Sequence, residues 1–232
     1  MPVTESRQTF SSGGRTINVE RFEPGGQRSA PPVLMLHGAD GLGLNGQYRA
    51  GAREIAASGF QVHLVHYLDR TGERRASFST LFQNFVPWME TVRDALAWIG
   101  DTAETAAGSI GLVGISLGAA LGLAVSGTSS RIGALVSFYG PLPQGAVAPD
   151  ARLPPTLVLH GNMDPVVPVA NAYAIESLLR QRHVPHEIRI YPGEGHGFRG
   201  QAQADATRRA LAFLRRHLVP EAPPLPAPDR DR

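Results

Sequence analysis

From Val33 onward, short apolar runs alternate with longer segments in which apolar residues recur at helical spacing. The short runs predict strands at Val33–His37, Gln61–His66, Ser109–Ile115, Ala134–Tyr139, Thr156–His160 and Glu187–Tyr191. The longer segments predict helices at Gln47–Ser58, Phe82–Ile99, Leu117–Ser126, Pro168–Arg182 and Gln201–Leu218. This alternation predicts a mostly parallel sheet of about eight strands with helices on both faces.

Two features complete this pattern. The extended segments Arg7–Ser11 and Arg15–Phe22 flank Gly13-Gly14, which predicts an antiparallel hairpin at one edge of the sheet. Within the helical segment Phe82–Ile99, proline is best tolerated near a helix start. Pro87 is therefore predicted to mark the first turn of the main helix.

The chain is predicted to form one α/β domain over residues 1–218, followed by a disordered proline-rich tail over residues 219–232. The connection Gly140–Pro155 is too short to hold a large cap domain. Leu68–Asn84 is the other candidate for a flap, so the sequence predicts a fairly open site.

Composition narrows the class of partner. The 232 residues are 42% hydrophobic and 18% charged, with a formal charge of +2, which gives no reason to expect nucleic-acid binding. The absence of cysteine excludes disulfide and thiolate chemistry. Neither a signal-peptide pattern nor an apolar stretch near the ~20 residues of a membrane span is visible. We therefore expect a cytoplasmic protein that does not associate with membranes.

The candidate chemistry begins at Gly114–Gly118, which reads Gly-Ile-Ser-Leu-Gly and matches the nucleophile-elbow pattern. A strand that turns sharply into a helix there would expose the hydroxyl of Ser116. The motif alone is weak, because a glycine-rich turn with an incidental serine would also match it. The strand before it and the helix after it are the context that the pattern requires.

An elbow also supplies hydrogen-bond donors for a developing oxyanion. The backbone N–H of Leu117 opens a helix, so it lies at the positive end of the helix dipole. A second N–H is expected from the loop after strand Val33–His37, where we choose Ala39. The alternative for this loop is a simple strand-ending turn.

A serine nucleophile needs a base and an acid to orient that base. Of the eight histidines, His196 lies among three glycines in the loop between the last strand and the last helix. Asp164 directly follows strand Thr156–His160, whereas Asp150 has no strand immediately before it. The chain order Ser116, Asp164, His196 is the order of α/β-hydrolases, and each residue follows a predicted parallel strand. A structural histidine and an Asx-turn aspartate are the alternatives.

At these residues the chain resembles the dienelactone hydrolase family, from about Pro32 to Leu218. The resemblance depends on His37-Gly38 with the Gly41–Asn45 loop, the elbow, the segment from His160-Gly161 through Asp164 to Val167-Pro168, and Gly195–Phe198. It implies an α/β-hydrolase fold and hydrolysis of carboxylic esters or lactones without a metal or organic cofactor. It also implies that Ser116, Asp164 and His196 form a catalytic triad.

The chain departs from the founding members of that family in two places. Those members use cysteine where this chain has Ser116, and they carry a glutamate after the third strand where this chain has Gly38 or a neighbour. A plain serine esterase is therefore expected rather than an enzyme for dienelactone itself. His37 is a candidate for lining the site, and Arg199, Arg74 and Arg75 are candidates for binding a substrate carboxylate.

Two other functions remain open on the sequence. A peptidase or acyltransferase on the same fold would use the same three residues, because fold does not fix substrate. A non-catalytic protein that binds a small ligand on a hydrolase scaffold is the alternative from a different class. The expected partner is a small-molecule ester or lactone, and the sequence does not predict an oligomeric state.

Overall fold

The central feature of the computed structural model is an eight-stranded sheet. Residues 2–26, 30–43, 46–101, 109–143 and 145–219 are described, so the predicted tail lies outside them from residue 220 onward, as do Leu44 and Asn45 of the Gly41–Asn45 loop. The strands are β1 Val3–Ser12, β2 Arg15–Pro24, β3 Pro32–Leu36, β4 Gln61–Val65, β5 Ile110–Ile115, β6 Ile132–Phe138, β7 Thr156–Gly161 and β8 His186–Tyr191.

The strand order is β1-β2-β4-β3-β5-β6-β7-β8. Strands β3 to β8 run parallel, while the β1–β2 hairpin pairs antiparallel at one edge. The predicted α/β fold is therefore confirmed, including the edge hairpin. Residues of β3, β4, β5 and β7 are buried throughout, as expected for strands covered on both faces.

Five α-helices cover the sheet: α1 Gln47–Ala57, α2 Phe78–Gly100, α3 Leu117–Ser126, α4 Ala170–Gln181 and α5 Gly200–Leu218. Two apolar clusters form the core, one on each face. Side chains of α2, α3 and α4 enter one cluster, and those of α1 and α5 enter the other. No large cap domain is present in the described ranges, and no helix within them is long and apolar enough to cross a membrane.

The prediction for Pro87 was wrong, because this residue lies inside α2. The helix begins at Phe78, where Ser77 and Thr80 form a capping box: the side chain of each accepts a hydrogen bond from the backbone N–H of the other. A proline inside a helix leaves the carbonyl four residues earlier without its partner. That residue, Gln83, is exposed, so water can solvate its carbonyl.

Close backbone approach beside the predicted elbow explains two of its glycines. A Cβ on Gly118 would lie 2.4 Å from the carbonyl oxygen of Leu36 and 2.6 Å from that of His37. A Cβ on Gly114 would lie 2.5 Å from the Cα of Ala119. Strand β5 and helix α3 can therefore approach each other and the end of β3 only because both positions lack a side chain.

Gly118→Ala is expected to destabilise the fold by about 2 kcal/mol or more, since the added methyl overlaps backbone atoms that cannot rotate away. Urea unfolding followed by circular dichroism measures this change. Gly51→Ala in α1 is the matched control. Its Cβ meets only the Cε of Met35, at 3.5 Å, so the helix should gain up to ~1 kcal/mol from alanine's better propensity. Equal effects of the two substitutions would contradict this packing explanation.

Candidate active site

Ser116, Asp164 and His196 lie close together at the carboxyl edge of the sheet. Ser116 follows β5, Asp164 follows β7 and His196 follows β8. The Nε2 of His196 is 2.9 Å from the Oγ of Ser116, and its Nδ1 is 2.7 Å from the Oδ2 of Asp164. The structure thus brings together the three residues that the sequence singled out, with one imidazole between a hydroxyl and a carboxylate.

Ser116 has a backbone conformation that non-glycine residues rarely adopt, with φ 53° and ψ −117°. Such strain costs on the order of 1–3 kcal/mol and persists only where the surrounding structure holds it. Here the N–H of Ser116 donates to the carbonyl of Phe138 at 2.9 Å, while its own carbonyl accepts from Ala119 at 2.9 Å. The turn therefore projects a partly exposed hydroxyl at the start of α3.

Asp164 is buried and held by its own loop. Its Oδ1 accepts hydrogen bonds from the N–H groups of Val166 and Val167, both at 2.8 Å. Its Oδ2 is then directed to His196. These bonds fix which carboxylate oxygen meets the imidazole, and they favour the tautomer in which His196 Nδ1 carries the proton.

A second histidine lies against the same carboxylate. His160 ends β7, and its Nε2 is 2.8 Å from the carbonyl of Val167 and 3.5 Å from Oδ2 of Asp164. Burial lowers the pKa of His160, although the Val167 carbonyl and the Asp164 charge oppose that shift. A neutral His160 leaves the negative charge of Asp164 to act on His196.

The loop that carries His196 packs closely on the end of β7. A Cβ on Gly161 would lie 2.3 Å from the carbonyl oxygen of Glu194, so this glycine lets the loop reach the strand. The ring of Tyr139 contacts the ring of His196 edge-on, at 4.8 Å between centroids. Burial, with smaller effects from Asp40 and Asp164, raises the pKa of Tyr139 to about 12. Tyr139 is therefore a neutral phenol beside the imidazole.

The two N–H groups expected to bind an oxyanion belong to different elements. Leu117 begins α3, and Ala39 lies in the loop after β3. Within the described part of the chain, neither N–H has a hydrogen-bond acceptor. A Cβ on Gly38 would lie 3.5 Å from the Cβ of Ser116, which shows how closely this loop approaches the serine.

A tyrosine that sequence reasoning missed holds the loop after β3. The hydroxyl of Tyr48, from α1, accepts a hydrogen bond from the N–H of Gly38 at 3.0 Å and donates to Asp40 at 2.5 Å. Burial and the bond to Asp40 raise the pKa of Tyr48 well above its usual value. The carbonyl of Ala39 also accepts from Ala76 at 2.8 Å. The loop is therefore fixed from both sides of Ala39.

Tyr48→Phe should lower kcat about 3- to 30-fold with little change in KM, provided that the N–H of Ala39 binds the oxyanion. The substitution removes the hydrogen-bond partner of the Gly38 N–H and so loosens the loop that holds Ala39. The expected loss in rate corresponds to the free energy of one ordinary hydrogen bond. Steady-state kinetics measure this split. Tyr191→Phe is the matched control, since that hydroxyl donates to Asp205 of α5 at 2.9 Å and not to the loop after β3. Equal kinetics for Tyr48→Phe and Tyr191→Phe would contradict the positioning role.

The remaining candidates are dispersed. Arg74 and Arg75 are exposed and line a cavity of about 410 Å³ together with Asp40 and Tyr48, which brings them beside the loop after β3. Arg199 is exposed just before α5 and does not line this cavity. The structure does not bring Arg199 together with the arginine pair.

His37 differs from the expectation that it lines the site. It is 1% exposed, its ring stacks on Tyr67 at 4.3 Å, and its Nδ1 is 2.8 Å from the carbonyl oxygen of Gly38. A side chain buried this deeply is not placed to contact a substrate. His37 instead contacts the loop after β3 at Gly38 from within the core. Burial lowers its pKa to about 4.

Buried histidines give the fold a specific pH dependence. Burial lowers the pKa of His63 to about 3, as it lowers that of His37 to about 4. Unfolded histidines bind protons below about pH 6.5, whereas these folded ones do not. The free energy of unfolding should therefore fall as pH decreases from 6.5 to 4, by up to about 1.4 kcal/mol per pH unit for each histidine.

Denaturant titrations at pH 7, 6, 5 and 4 measure this slope. His63→Leu removes one of these buried histidines and should make the slope shallower by up to about 1.4 kcal/mol per pH unit. An unchanged slope in that variant would contradict the assignment to buried neutral histidines.

The sheet order and the strand-to-helix turn at Ser116 are those of the α/β-hydrolase fold. The profile of the dienelactone hydrolase family matches residues 17–217, and the chain belongs to that family. The predicted resemblance is therefore confirmed, and the protein is a hydrolase. A comparison with curated proteins finds no significant match.

Solved structures agree on the fold. The dienelactone hydrolase-like promiscuous phosphotriesterase P91 from metagenomic libraries is 18% identical, with a TM-score of 0.79, over 93% of this chain and 99% of that chain. A putative dienelactone hydrolase from Klebsiella pneumoniae is 18% identical, with a TM-score of 0.79, over 92% and 98%. The acylaminoacyl peptidase of Pyrococcus horikoshii is 16% identical, with a TM-score of 0.75, over 96% of this chain and 43% of that chain.

Proposed function

We propose that this protein is a serine esterase that hydrolyses carboxylic esters or lactones through an acyl-enzyme intermediate. The observation that carries the proposal is the unbroken contact from Asp164 through His196 to Ser116, with separations of 2.7 Å and 2.9 Å. Membership of the dienelactone hydrolase family supports the same chemistry.

In the first half of the reaction, Nε2 of His196 accepts the proton of Ser116 as Oγ attacks the ester carbonyl. The carbonyl oxygen becomes an oxyanion that accepts hydrogen bonds from the N–H groups of Leu117 and Ala39. Asp164 stabilises the imidazolium and keeps its ring oriented. The imidazolium then gives its proton to the departing alkoxide, which leaves an ester between Ser116 and the acid.

The second half repeats these steps with water. His196 accepts a proton from water as the water oxygen attacks the acyl-enzyme, and it returns that proton to Oγ of Ser116 as the acid departs. For a lactone, the alkoxide and the acid belong to one molecule, so ring opening gives a single hydroxy acid.

Turnover of simple substrates tests the proposal and separates it from a non-catalytic ligand-binding function. The folded protein should hydrolyse p-nitrophenyl acetate and the lactone dihydrocoumarin over many turnovers, and heat-unfolded protein is the control for nonspecific reactivity. Release of p-nitrophenol and ring opening are both followed by absorbance. Failure of the folded protein to turn over any ester or lactone in a panel of varied acyl length and charge would overturn the proposal.

A further inference from the structure

A second cavity, of about 400 Å³, lies on the face of the sheet covered by α1 and α5. Its floor is formed by Val113, Ile115 and Phe138 of the sheet, with Gly51 on the α1 side and Thr207 and Leu211 on the α5 side. This volume is in the range of pockets that enclose small organic ligands. We call it the interhelical pocket.

The interhelical pocket adjoins the candidate active site through two tyrosines that belong to both. Tyr48 and Tyr139 line the pocket. Tyr48 bonds to Gly38, and Tyr139 contacts the ring of His196. Ile115, on the pocket floor, directly precedes Ser116. The pocket therefore lies next to residues that contact the surroundings of Ser116.

The lining of the pocket selects an apolar ligand. Carbon-rich side chains from β3, β5, β6, α1 and α5 form most of the wall, and none of the described lining residues is an arginine. Among the described lining residues, Glu54 is the one charged side chain; it is exposed and would repel an anion. The cavity beside Asp40 is instead lined by arginines, which would attract an anion. The two cavities therefore suit different parts of a substrate.

We propose that the interhelical pocket binds a linear aliphatic chain of the ester substrate, and so sets a preference for medium-length chains over short ones. This inference rests on the proposed esterase function. Burial of each added methylene is worth about three- to fourfold in binding. The chain belongs to either the acyl or the alcohol part, and two substrate series distinguish these sources.

Gly51 offers a way to fill the pocket without touching the reacting groups. Its position in α1 has open space for a side chain, since an added Cβ meets only Met35 Cε at 3.5 Å. Gly51→Leu places a branched side chain on the pocket wall, and Gly51→Ala is the matched control that changes the helix but adds only one methyl. Thr207→Leu narrows the pocket from the opposite wall, which keeps the test valid should Gly51→Leu not fold.

The experiment compares kcat/KM for p-nitrophenyl acetate, butyrate, hexanoate and octanoate, and for ethyl, butyl, hexyl and octyl acetate. In the wild type, kcat/KM should rise about threefold per methylene over part of one series. Gly51→Leu or Thr207→Leu should lower the value for the longest substrates at least about tenfold, with p-nitrophenyl acetate and ethyl acetate changed less than about twofold. Gly51→Ala, which adds only one methyl to the wall, should give a loss smaller than that of Gly51→Leu.

The outcomes separate this inference from the function on which it rests. Hydrolysis of p-nitrophenyl acetate together with a chain-length profile that neither leucine variant changes would overturn the pocket assignment alone. No hydrolysis of any ester in either series would overturn the proposed esterase function. A selective loss in the acyl series assigns the pocket to the acid part of the substrate, and a selective loss in the alcohol series assigns it to the leaving group.

Discussion

Ser116→Ala should lower kcat for p-nitrophenyl acetate by about 10³- to 10⁶-fold, the range expected when a triad nucleophile is removed. Without Oγ no acyl-enzyme can form, and only the oxyanion donors and His196 remain to assist water. Steady-state and single-turnover kinetics measure the loss. The free energy of unfolding should not fall, because α3 can begin after alanine as it does after serine, and the strained turn favours a small residue.

Ser177→Ala is the matched control for this variant. Ser177 lies on the exposed face of α4 and takes part in one exposed hydrogen bond with Gln181. Its substitution should leave kcat and KM unchanged. Turnover by Ser116→Ala within tenfold of the wild type would contradict the assignment of the nucleophile.

Asp164→Asn should lower kcat by about 10³- to 10⁴-fold while leaving the fold intact. The N–H groups of Val166 and Val167 hold one side-chain oxygen of residue 164, so the amide nitrogen would be turned toward His196. That nitrogen donates a hydrogen bond to Nδ1 and places the imidazole proton on Nε2. His196 could then no longer accept the proton of Ser116.

Kinetics of Asp164→Asn and Asp150→Asn, measured side by side, test this choice of acid. Asp150 is exposed in the loop between β6 and β7, so its substitution should not change kcat. A large loss in Asp150→Asn with little loss in Asp164→Asn would contradict the assignment of Asp164.

The fold was predictable because buried strands and helices have recognisable patterns of apolar residues in the sequence. Strands covered on both faces require nearly continuous apolar residues, and β3, β5 and β7 follow the predicted segments within one or two residues. Parallel strands end at one edge, so the residues just after β5, β7 and β8 were expected at the same edge of the sheet. The catalytic roles of Ser116, Asp164 and His196 stay predictions until they are measured.

Other features of the site could not be predicted from a single sequence, because they depend on contacts between distant parts of the chain. The hydroxyl of Tyr48 bonds to Gly38 and Asp40 only because α1 folds back over the loop after β3. His37 precedes a glycine as a site residue would, yet stacking on Tyr67 buries it. The start of α2 was missed because a local Ser77–Thr80 cap outweighs the preference of Pro87 for a first turn.

The interhelical pocket was also invisible in the sequence. It exists because α1 presents Gly51 and α5 presents small side chains such as Ala210 where larger residues would close the gap. Helical spacing places these residues on the inner faces of their helices but does not tell how far apart the two helices lie. Whether small residues on these two helices leave a pocket depends on the distance between α1 and α5, which the sequence does not give.

Covalent labelling by a fluorophosphonate tests the central claim most directly. The probe reacts with a serine hydroxyl only where a neighbouring base and oxyanion donors activate it. Intact-mass spectrometry of the folded protein should show one adduct per chain, and peptide mapping should locate it on Ser116. Ser177→Ala should label as the wild type does, and Ser116→Ala should not label. Absence of an adduct on the folded wild type, or an adduct on a residue other than Ser116, would contradict the account.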